Sequence, residues 1–112
     1  MNQLPPFTLW VGNASDCRNL AVISDHEIQH VVQLAIEEAI PPLPREVNLI
    51  RIPLTDSNGN DPFALQFAIK TVGELIQSQR RTLICCSAGL SRSPATAACA
   101  LAVVQELSLI HI

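Results

Sequence analysis

Apolar positions follow two rhythms along this chain. Phe7-Thr-Leu-Trp-Val11 is rich in aromatic and β-branched residues and predicts a first strand. Gly12-Asn13 ends it with a turn signal, and Asn13 or Ser15 can cap a short helical segment to about Leu20. Ile28 to Ala35 predicts a second strand, while its tail, Ile36 to Ile40, fits either helix or loop. Pro41-Pro42-Leu43-Pro44 breaks any regular element. Val47 to Leu54 alternates as a third strand does. From Phe63 to about Gln79 the rhythm changes: apolar residues at 63, 65, 67, 69, 72, 75 and 76 leave a polar opposite face, which predicts a helix. Asp61 is placed to cap it, Pro62 suits its first position, and Arg80-Arg81 at its far end suits the helix dipole. Thr82 to Cys86 is continuously apolar, as in a central strand covered on both faces. An Ala-rich helix then runs from Ser93 through Glu106, with side chains small enough to lie close to a sheet. Strands alternating with helices predict an α/β fold, a mostly parallel sheet of four or five strands flanked by helices, in a single domain 1–112.

Composition changes this picture by exclusion. A hydrophobic fraction of 48% with 15% charged residues describes a globular chain rather than a disordered one. Ten acids against seven bases leave no basic face, which argues against nucleic acid as partner. The longest apolar runs reach about half a membrane span, and Met1-Asn-Gln-Leu-Pro-Pro6 has neither the basic nor the apolar region of a signal peptide. Cys17, Cys85, Cys86 and Cys99 form no C-x-x-C pair, and His26, His30 and His111 stand at no metal-ligand spacing from them. The expectation is a monomer of the reducing cytoplasm, without metal or cofactor.

The chemistry concentrates in Cys86-Ser87-Ala88-Gly89-Leu90-Ser91-Arg92-Ser93-Pro94. A cysteine attacks as its thiolate, and three features of this stretch favour that form. Small residues from Ser87 to Ser91 let backbone N–H groups turn inward as an anion-binding nest. The following helix points its positive end at the same place. Arg92 adds a permanent charge and a fork of donors for two phosphoryl oxygens. Such a loop binds a phosphate dianion and favours its trigonal-bipyramidal transition state. A cysteine and an arginine at this spacing occur often by chance; the preceding apolar strand, Gly89, Ser93-Pro94 and the long helix make the combination specific.

Attack on a phosphate ester also needs an acid for the leaving oxygen. The loop Thr55 to Pro62 offers Asp56 and Asp61. Asp61 precedes Pro62 and a helix, so its expected work is capping; Asp56 is the expected acid, and a turn-forming role is its alternative. Ser93 can ease departure of the Cys86 sulfur, cap the helix, or do both.

These residues resemble the cysteine-dependent protein tyrosine phosphatases, specifically the small dual-specificity branch, from Phe7 to about Leu109. Cys86 to Pro94 looks like the signature loop, and Leu54-Thr55-Asp56 before the Phe63 helix is similar to the general-acid loop. Leu9-Trp-Val-Gly-Asn-Ala14 resembles the start of such domains. The resemblance implies Cys86 as nucleophile, Arg92 as phosphate clamp, Asp56 as acid and Ser93 as loop hydroxyl, with a phosphoprotein substrate, since Ser87 to Ser91 contain no basic residue. The family usually has histidine where Cys85 stands, and its domains continue one or two helices past Ile112, so a longer natural chain is expected. A weak or inactive phosphate-binding module of the same fold is the first alternative; a sulfurtransferase or arsenate-reducing thiol enzyme is the second.

Overall fold

The computed structural model describes residues 1–55, 59–87 and 92–110, excepting the side chains of residues 93 and 107–110. Its elements are β1 (Asn2–Gln3), β2 (Leu9–Asn13), α1 (Ala14–Arg18), α2 (Leu20–Asp25), β3 (His30–Ala35), β4 (Asn48–Leu54), α3 (Pro62–Gln77), β5 (Thr82–Cys86) and α4 (Arg92–Ile110). The strands order as β1-β2-β5-β3-β4 in one sheet. All neighbours are parallel except β1, which pairs antiparallel with β2. The continuously apolar Thr82–Cys86 therefore lies innermost, as its composition predicts.

Residues of a strand alternate between faces, and here the two faces carry two cores. Ile84 and Cys86 join Leu9, Val11, Val32 and Leu34 against α3 and α4 through Ala68, Val72, Ile76, Ala97 and Ala100. Leu83 and Cys85 join Trp10 and Val31 against Cys17 and Ile23 of α1 and α2. Ala97 and Ala100 are fully buried, so the small residues of α4 do bring that helix close to the sheet.

The local signals act largely as expected. Asn13 caps α1 in a reciprocal box: its side chain accepts from the Asp16 N–H at 3.0 Å, and the Asp16 carboxylate accepts from the Asn13 N–H at 2.9 Å. A Cβ on Gly12 would stand 2.5 Å from Asp16 Oδ2, so glycine makes room for that box. Asp61 Oδ1 accepts from the Phe63 N–H at 3.0 Å, with Pro62 in the first turn of α3.

One open alternative is decided and one expectation changes. The segment Ile36 to Ile40, which fits either helix or loop, is a loop that opens on a turn. Arg80 and Arg81 lie beyond α3 and serve other partners. Arg80 Nε donates to His30 Nε2 at 2.9 Å. Arg81 Nε donates to the His26 carbonyl at 2.8 Å, and its guanidinium lies 4.8 Å from the Trp10 ring centroid. Both side chains reach partners far back in the sequence rather than the end of α3.

Candidate active site

A parallel sheet collects the C-terminal ends of its strands along one edge, and ligands of such sheets bind there. Four strand ends meet at this edge: Asn13 of β2, Cys86 of β5, Ala35 of β3 and Leu54 of β4. Cys86 registers beside Asn13 and is 2% exposed. Ser87 follows it, and its carbonyl accepts from the Ala14 N–H at 3.4 Å. Beyond the loop, Arg92 opens α4 and is 8% exposed, unusually buried for an arginine.

The surroundings of Arg92 explain how that charge is accommodated. Nη1 donates to the Leu54 carbonyl at 2.8 Å and to Glu37 Oε2 at 3.0 Å; Nη2 donates to Glu37 Oε1. This is a two-pronged ion pair, with charge and geometry reinforcing each other. The Ser87 hydroxyl also donates to Glu37 Oε1. One carboxylate thus holds both flanks of the loop between the cysteine and the arginine. The Arg92 guanidinium, aided by Ser87, lowers the Glu37 carboxyl to a pKa of about 2, although the side chain is half-exposed. Glu37 is therefore ionised throughout the neutral and mildly acid range.

The strand ends are shaped for these contacts. The β3–β4 register shifts between Gln33, opposite Arg51, and Ala35, opposite Leu54, a bulge that absorbs one extra residue of β4. Bulges commonly re-aim strands beside functional sites. Pro53 sits within this bulge on the edge strand, where its missing N–H is tolerated. The Leu54 carbonyl receives both the Ile36 N–H, at 3.1 Å, and Arg92 Nη1.

The loop that follows β4 is closed at its base by Asn60. Asn60 Oδ1 accepts from the Thr55 N–H at 2.7 Å and from the Thr55 hydroxyl at 3.1 Å, while Asn60 Nδ2 donates to the Thr55 carbonyl at 3.0 Å. Gly59 beside it has φ +105°, a left-handed conformation suited to glycine. Asp56, which this clasp brackets, lies outside the described residues, as do Ala88, Gly89, Leu90 and Ser91 and the Ser93 side chain.

Cys85 turns its side chain to the opposite face from Cys86 and is fully buried beside Cys17. Its hydrogen bond with Cys17, followed by burial, pushes the Cys85 thiol up, so it remains protonated. Cys17 in turn donates to the Ala14 carbonyl at 3.1 Å. Among the described residues, no three His, Cys, Asp or Glu side chains gather as metal ligands would. Nor is any helix of the described residues long and apolar enough to cross a membrane.

Of the expected site residues, Cys86, Ser87 and Arg92 meet at one edge of the sheet. Glu37 and Asn60 join the same edge without having been expected there. The signal for Glu37 was an acid two residues past a buried strand; the signal for Asn60 was an amide beside a glycine near a loop end.

Known proteins share this fold. The family model for the dual specificity phosphatase catalytic domain matches residues 9–111. Among solved structures, DUSP15 superposes with a TM-score of 0.77 at 21% identity, over 95% of this chain and 66% of its own. OH1 from the Orf virus, described as a tyrosine phosphatase with triple substrate specificity, gives 0.77 at 23% identity, over 96% and 62%. Human DUSP28 gives 0.76 at 22% identity, over 93% and 73%. The chain thus spans slightly under two thirds of the length of the first two. No curated protein sequence matches it.

Proposed function

The chain belongs to the dual-specificity phosphatase catalytic-domain family, and from that premise we propose that it hydrolyses phosphotyrosine, phosphoserine or phosphothreonine in proteins through a phosphocysteine intermediate. The observation that carries this reading is the buried Arg92, held at the same strand-end edge as Cys86.

In the proposed first step, the Cys86 thiolate attacks phosphorus as the bond to the ester oxygen breaks, and Asp56 gives that oxygen its proton. The backbone N–H groups from Ser87 to Arg92, together with the Arg92 guanidinium, hold the phosphoryl oxygens and the charge that builds on them. In the second step Asp56 takes a proton from water, the water oxygen attacks phosphorus, and the sulfur–phosphorus bond breaks. Inorganic phosphate leaves and the thiolate returns, with the Ser93 hydroxyl donating to the departing sulfur. No step needs a metal or cofactor. The proposed setting is the reducing cytoplasm, where the unlinked thiols Cys17, Cys85 and Cys99 persist.

Turnover of p-nitrophenyl phosphate in the presence of a metal chelator tests the reading. Wild type should turn over and Cys86→Ser should not. Asp56→Asn should slow the reaction more than Asp61→Asn, since Asp61 already caps α3. Phosphopeptide binding without turnover by wild type would instead favour the binding-module alternative. Full turnover by Cys86→Ser would refute both.

A further inference from the structure

Glu37 is half-exposed, so its burial explains little of its placement. Exposed ion pairs contribute little to stability, which directs attention to geometry. A two-pronged carboxylate fixes the plane of a guanidinium as well as its position. Here Oε1 accepts from both Ser87 and Arg92, while Oε2 accepts from Arg92. The carboxylate therefore spans the residue after the nucleophile and the residue that clamps phosphate.

The backbone carrying Glu37 is itself held on both sides. Arg51 Nη2 donates to the carbonyls of Ile36 and Glu38. Gln33 Nε2 and Arg18 Nη2 both donate to the Ala39 carbonyl, each at 3.0 Å. The Ile36 N–H reaches the Leu54 carbonyl, and the Glu38 N–H reaches the Ala35 carbonyl at 3.3 Å. Three side chains from α1, β3 and β4 thus pin the three carbonyls around Glu37, and Gln33, one of the three, is fully buried. This is a braced strut rather than a surface acid that happens to lie near an arginine.

We propose that Glu37 is a positioning residue for phosphoryl transfer, holding Ser87 and Arg92 in the arrangement the pentacoordinate transition state requires. The inference rests on the reading of Cys86 as nucleophile. Its rival is that the Glu37 carboxylate occupies the seat of the substrate phosphate and must leave before substrate binds. The two make opposite forecasts for Glu37→Gln. Glutamine offers one acceptor and one donor, and the donor would face an Arg92 N–H, so the guanidinium loses its fixed plane. A strut that is lost lowers transition-state binding; a plug that is lost raises phosphate binding.

The experiment uses the 112-residue chain and compares wild type, Glu37→Gln, Glu37→Asp and Ser87→Ala. Melting temperatures establish that each variant is folded at the assay temperature. Steady-state kinetics with p-nitrophenyl phosphate give kcat and KM, and titrations with orthovanadate and inorganic phosphate give oxyanion affinities. Vanadate adopts the five-coordinate geometry, and phosphate the tetrahedral one. The expected result for Glu37→Gln is a kcat lower by roughly 10- to 100-fold, the range for supporting partners of a site, with a smaller change in KM. Vanadate affinity should fall by a similar factor and phosphate affinity by less. Glu37→Asp keeps the charge on a shorter arm and should recover part of the loss. Ser87→Ala severs one flank of the loop from Glu37 and should show a smaller loss of the same kind, which keeps the test open if Glu37→Gln does not fold.

An unchanged kcat in folded Glu37→Gln would overturn the proposal and leave the phosphatase reading standing. Tighter phosphate binding with faster turnover would overturn it in favour of the plug. If wild type shows no turnover, the phosphatase reading fails. The ratio of vanadate to phosphate affinity in Glu37→Gln against wild type still decides for or against Glu37.

Discussion

Arg92 and Asn60 show how much chemistry can depend on the shape of one side chain. Arg92→Lys keeps the charge but replaces a planar fork with a point ammonium, which can neither pair two-pronged with Glu37 nor clamp a phosphoryl group edge-on. We expect kcat/KM to fall by roughly 100-fold or more, the scale for losing a transition-state donor, in a protein that still melts cooperatively. Asn60→Ala removes three hydrogen bonds that join Thr55 and Asn60, the two ends of the loop proposed to carry the acid. If that clasp aims Asp56, turnover should fall about tenfold, equivalent to about 1.4 kcal/mol. Alkylation of Cys86 by iodoacetamide should then proceed at the wild-type rate, because the stretch from Cys86 to Arg92 is untouched. Cys85 is equally instructive. The family resemblance leads one to look for histidine there, yet a fully buried thiol faces Cys17 instead. Introducing histidine should overpack that core by about 1–3 kcal/mol in chemical denaturation, and adding Cys17→Ala should recover part of the loss.

At the scale of elements, α4 lies against the sheet through the fully buried Ala97 and Ala100 and presents Arg92 from its first turn. Ala100→Leu should lower unfolding free energy by about 1–3 kcal/mol, measured in urea, because the fully buried site has no room for a larger side chain. The elements most legible in the sequence were those with local determinants: the Asn13 cap, the Asp61-Pro62 start of α3, the apolar run of β5 and the small residues of α4. Those less legible depend on distant partners. The strand β1 is two residues long and exists only through its pairing with β2. The helix α2 is six residues long, begins where α1 ends, and is fixed by Asn19, whose side chain accepts from the Ala21 and Val22 N–H groups. The arginines at 80 and 81 looked like a helix terminus because their partners, His30, His26 and Trp10, lie fifty or more residues earlier.

For the whole molecule, the two ends of the sheet carry different consequences of charge. At the site end, Glu37 titrates near 2 rather than its ordinary 4.5, so the stability it contributes is present above about pH 4.5 and is lost as pH falls toward 2. That contribution is small, because the half-exposed pair is screened by solvent. At the far end, burial and then the Arg80 charge lower His30 below its ordinary 6.5. His30 Nε2 accepts from Arg80, which places the proton of the neutral ring on the buried Nδ1. As pH falls through 6.5 the unfolded chain takes up that proton first, so stability is full above 6.5 and declines below it. Melting temperatures between about pH 8 and pH 5 should show this decline in wild type and a flatter profile in His30→Gln. The candidate site divides in the same way between local and assembled features. The Cys86–Arg92 loop is contiguous and could be read from its spacing, whereas Glu37 meets Arg92 across 55 positions of sequence, through a fold that sets one strand end beside another. In the proposed reaction Cys86 carries the phosphoryl group between two steps. The most direct measurement is rapid acid quenching during turnover of a phosphotyrosine peptide, followed by peptide mass spectrometry. A phosphoryl adduct on Cys86 should accumulate in Asp56→Asn, where hydrolysis of the intermediate is slowed. Turnover with no adduct on Cys86 in either protein, or with the adduct on another residue, would contradict it.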